Sequence, residues 1–275
     1  MGFIESVVYA VVSGVTEFFP VSSKAHQALL VQLFGVDKRT GLFDLLIHIA
    51  ILTALLGSCQ TQIANLSRTQ KLLAIPPKRR KRQPELELVS RLRFIKTSAV
   101  PIVLLTTLFF VTYKAADHLQ LLSIFLLING VVLYALNYLP HSNKGAQYFS
   151  GIEAFLIGFC SGFGIVPGIS RVGVGTSLSV IRGASQKDAY EWCLILSIPA
   201  VVALCLADFI VIIFNGIGSF SFLIFLQYLF GALMAYVGAF FSIMFMRHIV
   251  AKFGVYWFSF YNWGLALFSF IIFML

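Results

Sequence analysis

Six long apolar segments dominate the sequence and limit what the chain can fold into. Each is close to the ~20 residues that an α-helix needs to cross the hydrocarbon of a bilayer. Only 11% of the 275 residues are charged, whereas soluble domains carry roughly 25%. We therefore predict an all-α polytopic membrane protein, a single integral membrane domain over 1–275, with about six transmembrane helices. The predicted spans are 43–62, 95–113, 119–138, 187–214, 219–247 and 254–275.

Two further apolar regions, 1–35 and 149–183, are interrupted near their middle by Pro, Gly and Ser. Irregular backbone at membrane depth is tolerated only where it is buried in protein or lines a cavity. We therefore interpret both regions as re-entrant helical hairpins, each made of two half-helices that enter and leave on one face.

The basic residues are unevenly distributed, and their distribution predicts the orientation. Ten of the 20 lie between Arg68 and Lys96, and segments rich in Lys and Arg stay in the cytoplasm. With 63–94 placed inside as a basic cytoplasmic loop, 15 basic residues lie inside, three lie outside, and Lys24 and Arg171 lie in the hairpins. Such a cluster suits anionic headgroups, so the net charge of +9 does not indicate a nucleic-acid partner.

The two hairpins carry the same short pattern. Residues 20–24 read Pro-Val-Ser-Ser-Lys and residues 167–171 read Pro-Gly-Ile-Ser-Arg, so both have the form Pro-x-x-Ser-basic. The predicted threading gives them opposite orientations, as in transporters whose inverted repeats bring broken helices together near the midplane. We predict inverted-repeat halves at about 1–113 and 119–247, with a binding site between the two patterns.

Arg171 is the strongest functional candidate, because an ionisable group within the membrane is costly. Its guanidinium stays charged and offers a planar fork of donors that matches phosphate. Ser170 stands beside it, and Gly168 and Gly173 let backbone N–H groups approach an anion closely. The N-terminus of the following half-helix adds a partial positive charge. The alternative is an arginine that pairs with a carboxylate for structure alone.

Glu17 lies one turn before Pro20 and is expected to project toward the same cavity. A carboxylate beside a phosphate site usually binds a divalent cation or acts as a general base. The alternative is a charge partner for Arg171 or Lys24.

Two spaced pairs of polar residues surround this region. Ser23 and His26 are at i and i+3 and share a helix face, which suits a nucleophile and its base, although the spacing also occurs often by chance. Asp44 and His48 are at i and i+4. They form either an outer ring of polar groups around the site or a buried hydrogen-bonded pair.

Two motifs resemble the signatures of a known family, the undecaprenyl-diphosphate phosphatases of the bacitracin-resistance type. Residues 14–26 read Gly-Val-Thr-Glu-Phe-Phe-Pro-Val-Ser-Ser-Lys-Ala-His, and residues 167–173 read Pro-Gly-Ile-Ser-Arg-Val-Gly. The family patterns are Glu-Gly-x-Thr-Glu-Phe-x-Pro-Val-Ser-Ser-x-x-His and Pro-Gly-x-Ser-Arg-Ser-Gly-x-Thr. The similarity spans the whole chain, because its length and the order of the motifs also fit.

The resemblance implies six spanning helices and two re-entrant hairpins. It also implies removal of the terminal phosphate of undecaprenyl diphosphate at the outer face of the bacterial cytoplasmic membrane. That reaction recycles the lipid carrier for peptidoglycan synthesis and confers bacitracin resistance. A divalent cation, Mg²⁺ or Ca²⁺, is expected with Glu17 as its ligand. The expected partners are the lipid substrate and the membrane. The resemblance does not decide between a monomer and a homodimer.

When the family's site residues are carried over by position, they form three sets in this chain. The catalytic residues are Glu17, Ser23, His26 and Arg171. The phosphate-binding residues are Ser22, Ser170, Arg171, Gly168, Gly173 and Thr176. The residues expected around them are Ser13, Asp44 and His48.

Four positions depart from the family pattern. The first acid of its pair falls on Ser13, the serine after the arginine on Val172, and the threonine on Gly175, with Thr176 one residue late. An aromatic-arginine pair near the C-terminus falls on residues 261–262, Tyr-Asn. Loss of the acid is expected to weaken metal binding, and each lost hydroxyl removes a phosphate donor worth roughly 1–3 kcal/mol. These departures are compatible with a slower enzyme, with an enzyme that acts on a different lipid, and with an inactive relative.

The sequence also leaves the mechanism and two rival functions open. The nucleophile is Ser23, His26 or a water molecule. A transporter that moves a polyprenyl phosphate across the bilayer would need phosphate binding but no activated nucleophile. A structural partner of envelope-synthesis complexes would need neither.

Overall fold

A computed structural model describes residues 1–34, 40–108, 119–139, 142–217 and 221–274. Within these ranges the chain forms α-helices and short 3₁₀ turns without any strand, which confirms the all-α prediction. The helices are α1 (Phe3–Glu17), α2 (Ser23–Phe34), α3 (Gly41–Ser58), α4 (Gln60–Ala74), α5 (Leu86–Thr107), α6 (Leu119–Tyr134), α7 (Gly151–Gly162), α8 (Arg171–Ile181), α9 (Gln186–Asn215), α10 (Phe222–Lys252) and α11 (Phe258–Met274).

Four segments of the described chain are long and apolar enough to cross a bilayer, which confirms a multi-pass membrane protein. They are Gly41–Ser58, Leu121–Tyr138, Gln186–Asn215 and Phe222–Lys252. They coincide with four of the six predicted spans. Helices α5 and α11 occupy the other two, although α5 begins among charged residues and α11 has 17 residues. Positions 109–113, 219–220 and 275 of the predicted spans lie outside the described residues.

The predicted basic loop over 63–94 is largely helical, and its cytoplasmic placement stays a prediction. Helix α4 covers its first part and α5 its last, so only 75–85 lies between helices, with a 3₁₀ turn at Pro77–Arg79. Helix α4 packs against α5 through apolar residues that include the buried Leu66. A count of charges does not detect this apolar side of an otherwise polar segment.

Each predicted hairpin has two helices joined by a short irregular tip. The first tip, residues 18–22, joins α1 to α2, and the second tip, residues 166–170, leads into α8. Pro20 and Pro167 lie inside the tips. Proline has no backbone N–H and cannot continue a helix, which explains why the helices are interrupted there.

The two hairpins pack in the same way on opposite halves of the chain. Helix α1 lies against α10 and α7 lies against α5, while α3 and α9 pack on each other. Both contacts are close: a Cβ on Gly14 would lie 2.2 Å from the carbonyl oxygen of Ala235, and one on Gly158 would lie 2.1 Å from that of Ser98. Small residues permit such backbone approach between membrane helices. The two hairpins therefore make similar close contacts, and the inverted-repeat halves stay a prediction.

Candidate phosphate site at the hairpin tips

The first and second tips contact each other directly. The Oγ of Ser22 accepts a hydrogen bond from the N–H of Gly168 at 2.9 Å. The hydroxyl of Ser170 donates to the carbonyl of Phe19 at 3.1 Å. The two patterns that the sequence pairs are therefore joined in the fold.

Both tips contain a residue in the left-handed backbone region. Gly168 has φ of 102°, which glycine adopts freely, and Ser22 has φ of 59°. A serine in this region stores local strain, and such strain tends to occur at functional sites. The Ser22 oxygen also lies 3.4 Å from the N–H of Ala25, so this residue, expected to bind phosphate, caps α2 and holds the second tip.

Two buried asparagines support the tips from α6 and α11. The amide nitrogen of Asn129 donates to the carbonyl of Pro20 at 3.1 Å and to the side-chain oxygen of Asn262 at 2.9 Å. The side-chain oxygen of Asn129 accepts the N–H of Ser170 at 3.0 Å. Asn262 donates to Pro20 as well, at 3.1 Å. One side chain, Asn129, therefore binds both tips.

Sequence reasoning missed Asn129, and it treated Asn262 only as a departure from the family pattern. A signal for Asn129 was present, because an amide in the middle of an apolar transmembrane segment needs buried hydrogen-bond partners.

Arg171 and Glu17 form an ion pair across the two hairpins. The Nη1 of Arg171 lies 3.2 Å from the Oε1 of Glu17, and the two side chains are 8% and 7% exposed. The predicted alternative, pairing with a carboxylate, therefore occurs. It does not use the whole guanidinium, because the buried Nε has no hydrogen-bond partner in the described part of the chain. A buried donor without a partner is unfavourable, and the guanidinium therefore keeps a donor that Glu17 does not use.

Ser23 and His26 share α2 but have different partners. The Nδ1 of His26 lies 2.8 Å from the carbonyl of Ser22, which can only accept, so Nδ1 carries the hydrogen. In the neutral ring Nε2 then accepts a hydrogen bond from the Tyr261 hydroxyl at 2.7 Å, and the two rings stack. The hydroxyl of Ser23 makes one long contact, 3.5 Å to the carbonyl of Ser13. The described residues therefore do not include a bonded Ser23–His26 pair.

The remaining predicted phosphate ligands are divided between the tips and the core. Ser170 caps α8, where its oxygen accepts the N–H of Gly173 at 3.1 Å. Gly173 also leaves room for the first tip, because a Cβ there would lie 3.1 Å from the Cβ of Pro20. Thr176 is fully buried, and its hydroxyl has no hydrogen-bond partner within the described ranges. No recorded hydrogen bond brings Thr176 to the tips.

A second polar cluster lies beside the first tip. The hydroxyl of Ser13 donates to the carbonyl of Tyr9 at 2.7 Å and accepts from the Nε2 of Gln27 at 3.0 Å. The other end of that amide, Oε1, accepts from the ammonium of Lys24 at 3.2 Å. The Nε2 of His48 lies 3.5 Å from the same ammonium.

Asp44 and His48 are not partners of each other, which corrects one of the two sequence interpretations. The Nδ1 of His48 lies 2.5 Å from Oδ2 of Asp208, a buried residue of α9. Asp44 instead accepts from the hydroxyl of Tyr9 at 3.4 Å. Asp208 was not predicted as a site residue, because its partner His48 lies far away along the chain.

The side chains at the tips do not form a cation site on their own. Within the described chain no three His, Cys, Asp or Glu side chains gather as metal ligands would. Glu17 already accepts from Arg171, and Ser13, where a second acid is expected, bonds within its own helix. Mg²⁺ is usually held by only one or two carboxylates, with waters and substrate phosphates completing its shell, so a cation at Glu17 would need ligands from the substrate and from water. The divalent cation and its binding by Glu17 stay predictions.

Comparison with known proteins gives a consistent result over nearly the whole chain. Residues 6–268 match the family model described as bacitracin resistance protein BacA. A protein of Treponema denticola named undecaprenyl-diphosphatase is 29% identical over 95% of this chain and 94% of its own length. Proteins with the same name from Carboxydothermus hydrogenoformans (28%, covering 97% and 95%) and Methanobrevibacter smithii (27%, covering 100% and 98%) are similar.

Proposed function

The chain belongs to the bacitracin resistance protein BacA family, and we propose that it hydrolyses undecaprenyl diphosphate to undecaprenyl phosphate and phosphate. The observation that carries the proposal is Arg171, which is buried where two broken hairpins meet and whose Nε lacks a partner in the described residues. Phosphate is the anion that best matches a guanidinium fork. The names of the relatives support the same reaction.

In the proposed complex the terminal phosphate lies against Arg171. Helix α8 begins at that residue, so its first N–H groups and its dipole favour the same anion. Glu17 keeps the guanidinium in place and neutralises it while the site has no substrate. The phosphate then takes the donors of Arg171 that Glu17 does not use.

Hydrolysis breaks the bond between the terminal phosphorus and the bridging oxygen, and undecaprenyl phosphate leaves with the bonding electrons. The attacking atom is an oxygen of water, the oxygen of Ser23 or the Nε2 of His26. Attack by Ser23 or His26 gives a phosphoryl-enzyme that water then hydrolyses. Arg171 stabilises the charge on the phosphoryl oxygens in every case.

His26 is equipped to accept a proton in the two oxygen routes. Because the hydrogen on Nδ1 is bonded to the carbonyl of Ser22, Nε2 has the free lone pair of the ring and is the nitrogen that can accept a proton. The Tyr261 hydroxyl, which now donates to Nε2, must move aside for that transfer.

We place the reaction at the outer face of the bacterial cytoplasmic membrane, where it would recycle the lipid carrier and confer bacitracin resistance. The support is the bias of basic residues toward one side of the predicted threading. Both tips come from one chain, so the proposed reaction does not require the homodimer that the sequence leaves open.

A polyprenyl-phosphate transporter is the second candidate, and the symmetric packing of the hairpins favours it. Transporters commonly place broken helices from inverted repeats around a midplane site. Such a protein would bind the lipid phosphate at Arg171 without using Ser23 or His26 chemically. Ser23→Ala separates the two functions, because it would leave transport nearly intact.

The deciding experiment measures phosphate release from undecaprenyl diphosphate by the detergent-purified protein with Mg²⁺, with Ca²⁺ and with EDTA. Glu17→Gln and Arg171→Ala are assayed beside the wild type. Release that both substitutions abolish is the expected result. Folded wild-type protein that binds the lipid but releases no phosphate in any condition would reject the phosphatase and favour the transporter.

A further inference from the structure

We infer that the groove between α4, α5 and α9 binds a membrane phospholipid with an anionic headgroup, whose acyl chain lies in the groove and whose phosphate lies against Lys71. The groove shares no lining residue with the hairpin tips. The inference therefore goes beyond the proposed function and does not depend on it.

The groove has a volume of about 430 Å³ and an apolar floor. Its floor is formed by buried residues from all three helices, namely Leu66 of α4, Leu92 and Ile95 of α5, and Ile195 of α9. Ligand sites in proteins have volumes of roughly 300–1,000 Å³. The groove is therefore large enough to hold part of an acyl chain.

Helix α4 gives the groove one apolar end and one polar end. Ile63 and Leu66 line the groove first, and Ser67, Gln70 and Lys71 line it farther along the helix. These positions have the spacing i, i+3, i+4, i+7 and i+8, so they share one face of α4. From the first to the last they extend over about 12 Å of the helix axis. A groove that becomes polar toward one end matches a lipid, which joins an apolar chain to a polar headgroup.

The third wall of the groove belongs to a membrane-spanning segment. Helix α9 is long and apolar enough to cross a bilayer, and Ile195, Ile198 and Pro199 lie in its first half. Hydrocarbon chains of the bilayer surround such a segment. The molecules that reach this wall are therefore lipids.

The cations at the polar end favour an anionic headgroup. Lys71 lines the groove, and Arg68 lies one turn before it on α4. Both side chains are exposed, and neither makes a hydrogen bond or an ion pair within the described residues. Their charges are therefore not compensated by an acidic side chain in that part of the protein.

A second group of cations is held near the same end of α4. The run 78–82 consists entirely of Lys and Arg. Arg80 donates to the carbonyls of Leu73 and Ile75 at 3.1 and 2.7 Å, which ties this run to the end of α4. Within the described residues, the acid paired with the run is Glu85, at Arg82. Because each basic residue near anionic lipid adds attraction, this end of the groove selects an anionic headgroup over a zwitterionic one.

The test measures lipid binding and needs no turnover. The detergent-purified full chain is titrated with dioleoyl phosphatidylglycerol or with zwitterionic dioleoyl phosphatidylcholine, and native mass spectrometry gives the affinity for the first bound lipid. The wild type should bind phosphatidylglycerol roughly fivefold more tightly, as one basic residue near anionic lipid allows. Lys71→Met should remove most of this preference. Lys252→Met, at the exposed end of α10, is the matched control and should keep it.

Ser67→Trp tests the groove itself. Ser67 is an exposed lining residue, so an indole there occupies the space of the acyl chain without entering the buried core. The affinity for both lipids should fall by roughly tenfold, as the loss of about two buried methylene groups predicts, with unchanged thermal unfolding. Thr61→Trp, at an exposed position of α4 outside the groove, should bind both lipids as the wild type does.

Three results would overturn the inference. They are equal affinity of the wild type for the two phospholipids, the same preference in Lys71→Met as in the wild type, and unchanged lipid binding in Ser67→Trp. Displacement of phosphatidylglycerol by an equal concentration of undecaprenyl phosphate would assign the groove to a prenyl tail and would also overturn it. Phosphate release enters none of these measurements, so a protein that fails to hydrolyse undecaprenyl diphosphate can still confirm the phospholipid site.

Discussion

The first and second tips share one sequence pattern but use it differently. In the second tip Ser170 is committed to structure, since its oxygen accepts the N–H of Gly173 and its hydroxyl donates to Phe19. In the first tip the matching residue, Ser23, has one long contact to the carbonyl of Ser13. Ser170 therefore joins the tips through short hydrogen bonds, whereas Ser23 has only this long contact within the described residues.

The same division applies to the residues that follow. Three positions after the serine, the first hairpin has His26, whose Nε2 accepts a hydrogen bond from Tyr261. The second hairpin has Gly173 there, which makes room for Pro20. Arg171 is paired with the buried carboxylate of Glu17, while the amide of Gln27 and the ring of His48 contact Lys24. The two tips share a sequence pattern, and the proposed reaction depends on how their residues differ.

The largest expected effect comes from Arg171, the residue that would anchor the substrate in the second hairpin. Arg171→Lys keeps the charge but loses the planar fork, so phosphate release should fall by roughly 10²-fold. Arg171→Ala should lower it by roughly 10³-fold, and it leaves Glu17 buried without its cation at a cost of about 3–5 kcal/mol. Initial rates and thermal unfolding in detergent measure the two effects.

Arg182 provides the matched control for Arg171. It ends the same half-helix and pairs with Glu153 at the surface. Arg182→Lys should change the rate by less than about twofold, because exposed ion pairs contribute little. Similar losses in Arg171→Lys and Arg182→Lys would show that the buried guanidinium has no special role.

The paired serines test the comparison most directly. Ser23→Ala should lower phosphate release by roughly 10²-fold or more if its oxygen attacks phosphorus, with little change in stability. Ser170→Ala removes a helix cap, so it should lower the free energy of unfolding by about 1 kcal/mol and the rate by less than roughly tenfold. Rates and melting temperatures of the two variants should therefore show opposite orders. Equal effects on both quantities would mean that the tips are equivalent.

Asn129 is the residue that holds the two different tips together. Asn129→Leu leaves the N–H of Ser170 buried without its acceptor, which costs roughly 1–3 kcal/mol. Asn262→Leu is the matched control, because the carbonyl of Pro20 keeps its bond to Asn129. The melting temperature should fall further for Asn129→Leu than for Asn262→Leu. The reverse order would place the main support of the tips in α11.

The sequence predicted the parts of this site that depend on local pattern. Prolines, glycines and serines located both tips, and the single arginine among apolar residues identified Arg171. Asn129 and Asp208 were not predicted as site residues, because their partners come from helices far away along the chain. The 3.6-residue period says which residues share a helix face, but it does not say which helix that face meets.

The smallest expected effect concerns Tyr261, which bonds a group that the second hairpin lacks. Tyr261→Phe removes one hydrogen bond to His26 and keeps the stacked ring. The free energy of unfolding should therefore fall by about 0.5–1.5 kcal/mol. Because that bond orients the His26 ring but must also break before Nε2 accepts a proton, its two effects on the rate oppose each other. We therefore expect kcat to change by less than roughly tenfold while KM stays unchanged. Tyr138→Phe, on the exposed surface, should leave both constants at the wild-type values. A change in KM alone would assign Tyr261 to substrate binding and not to the orientation of His26.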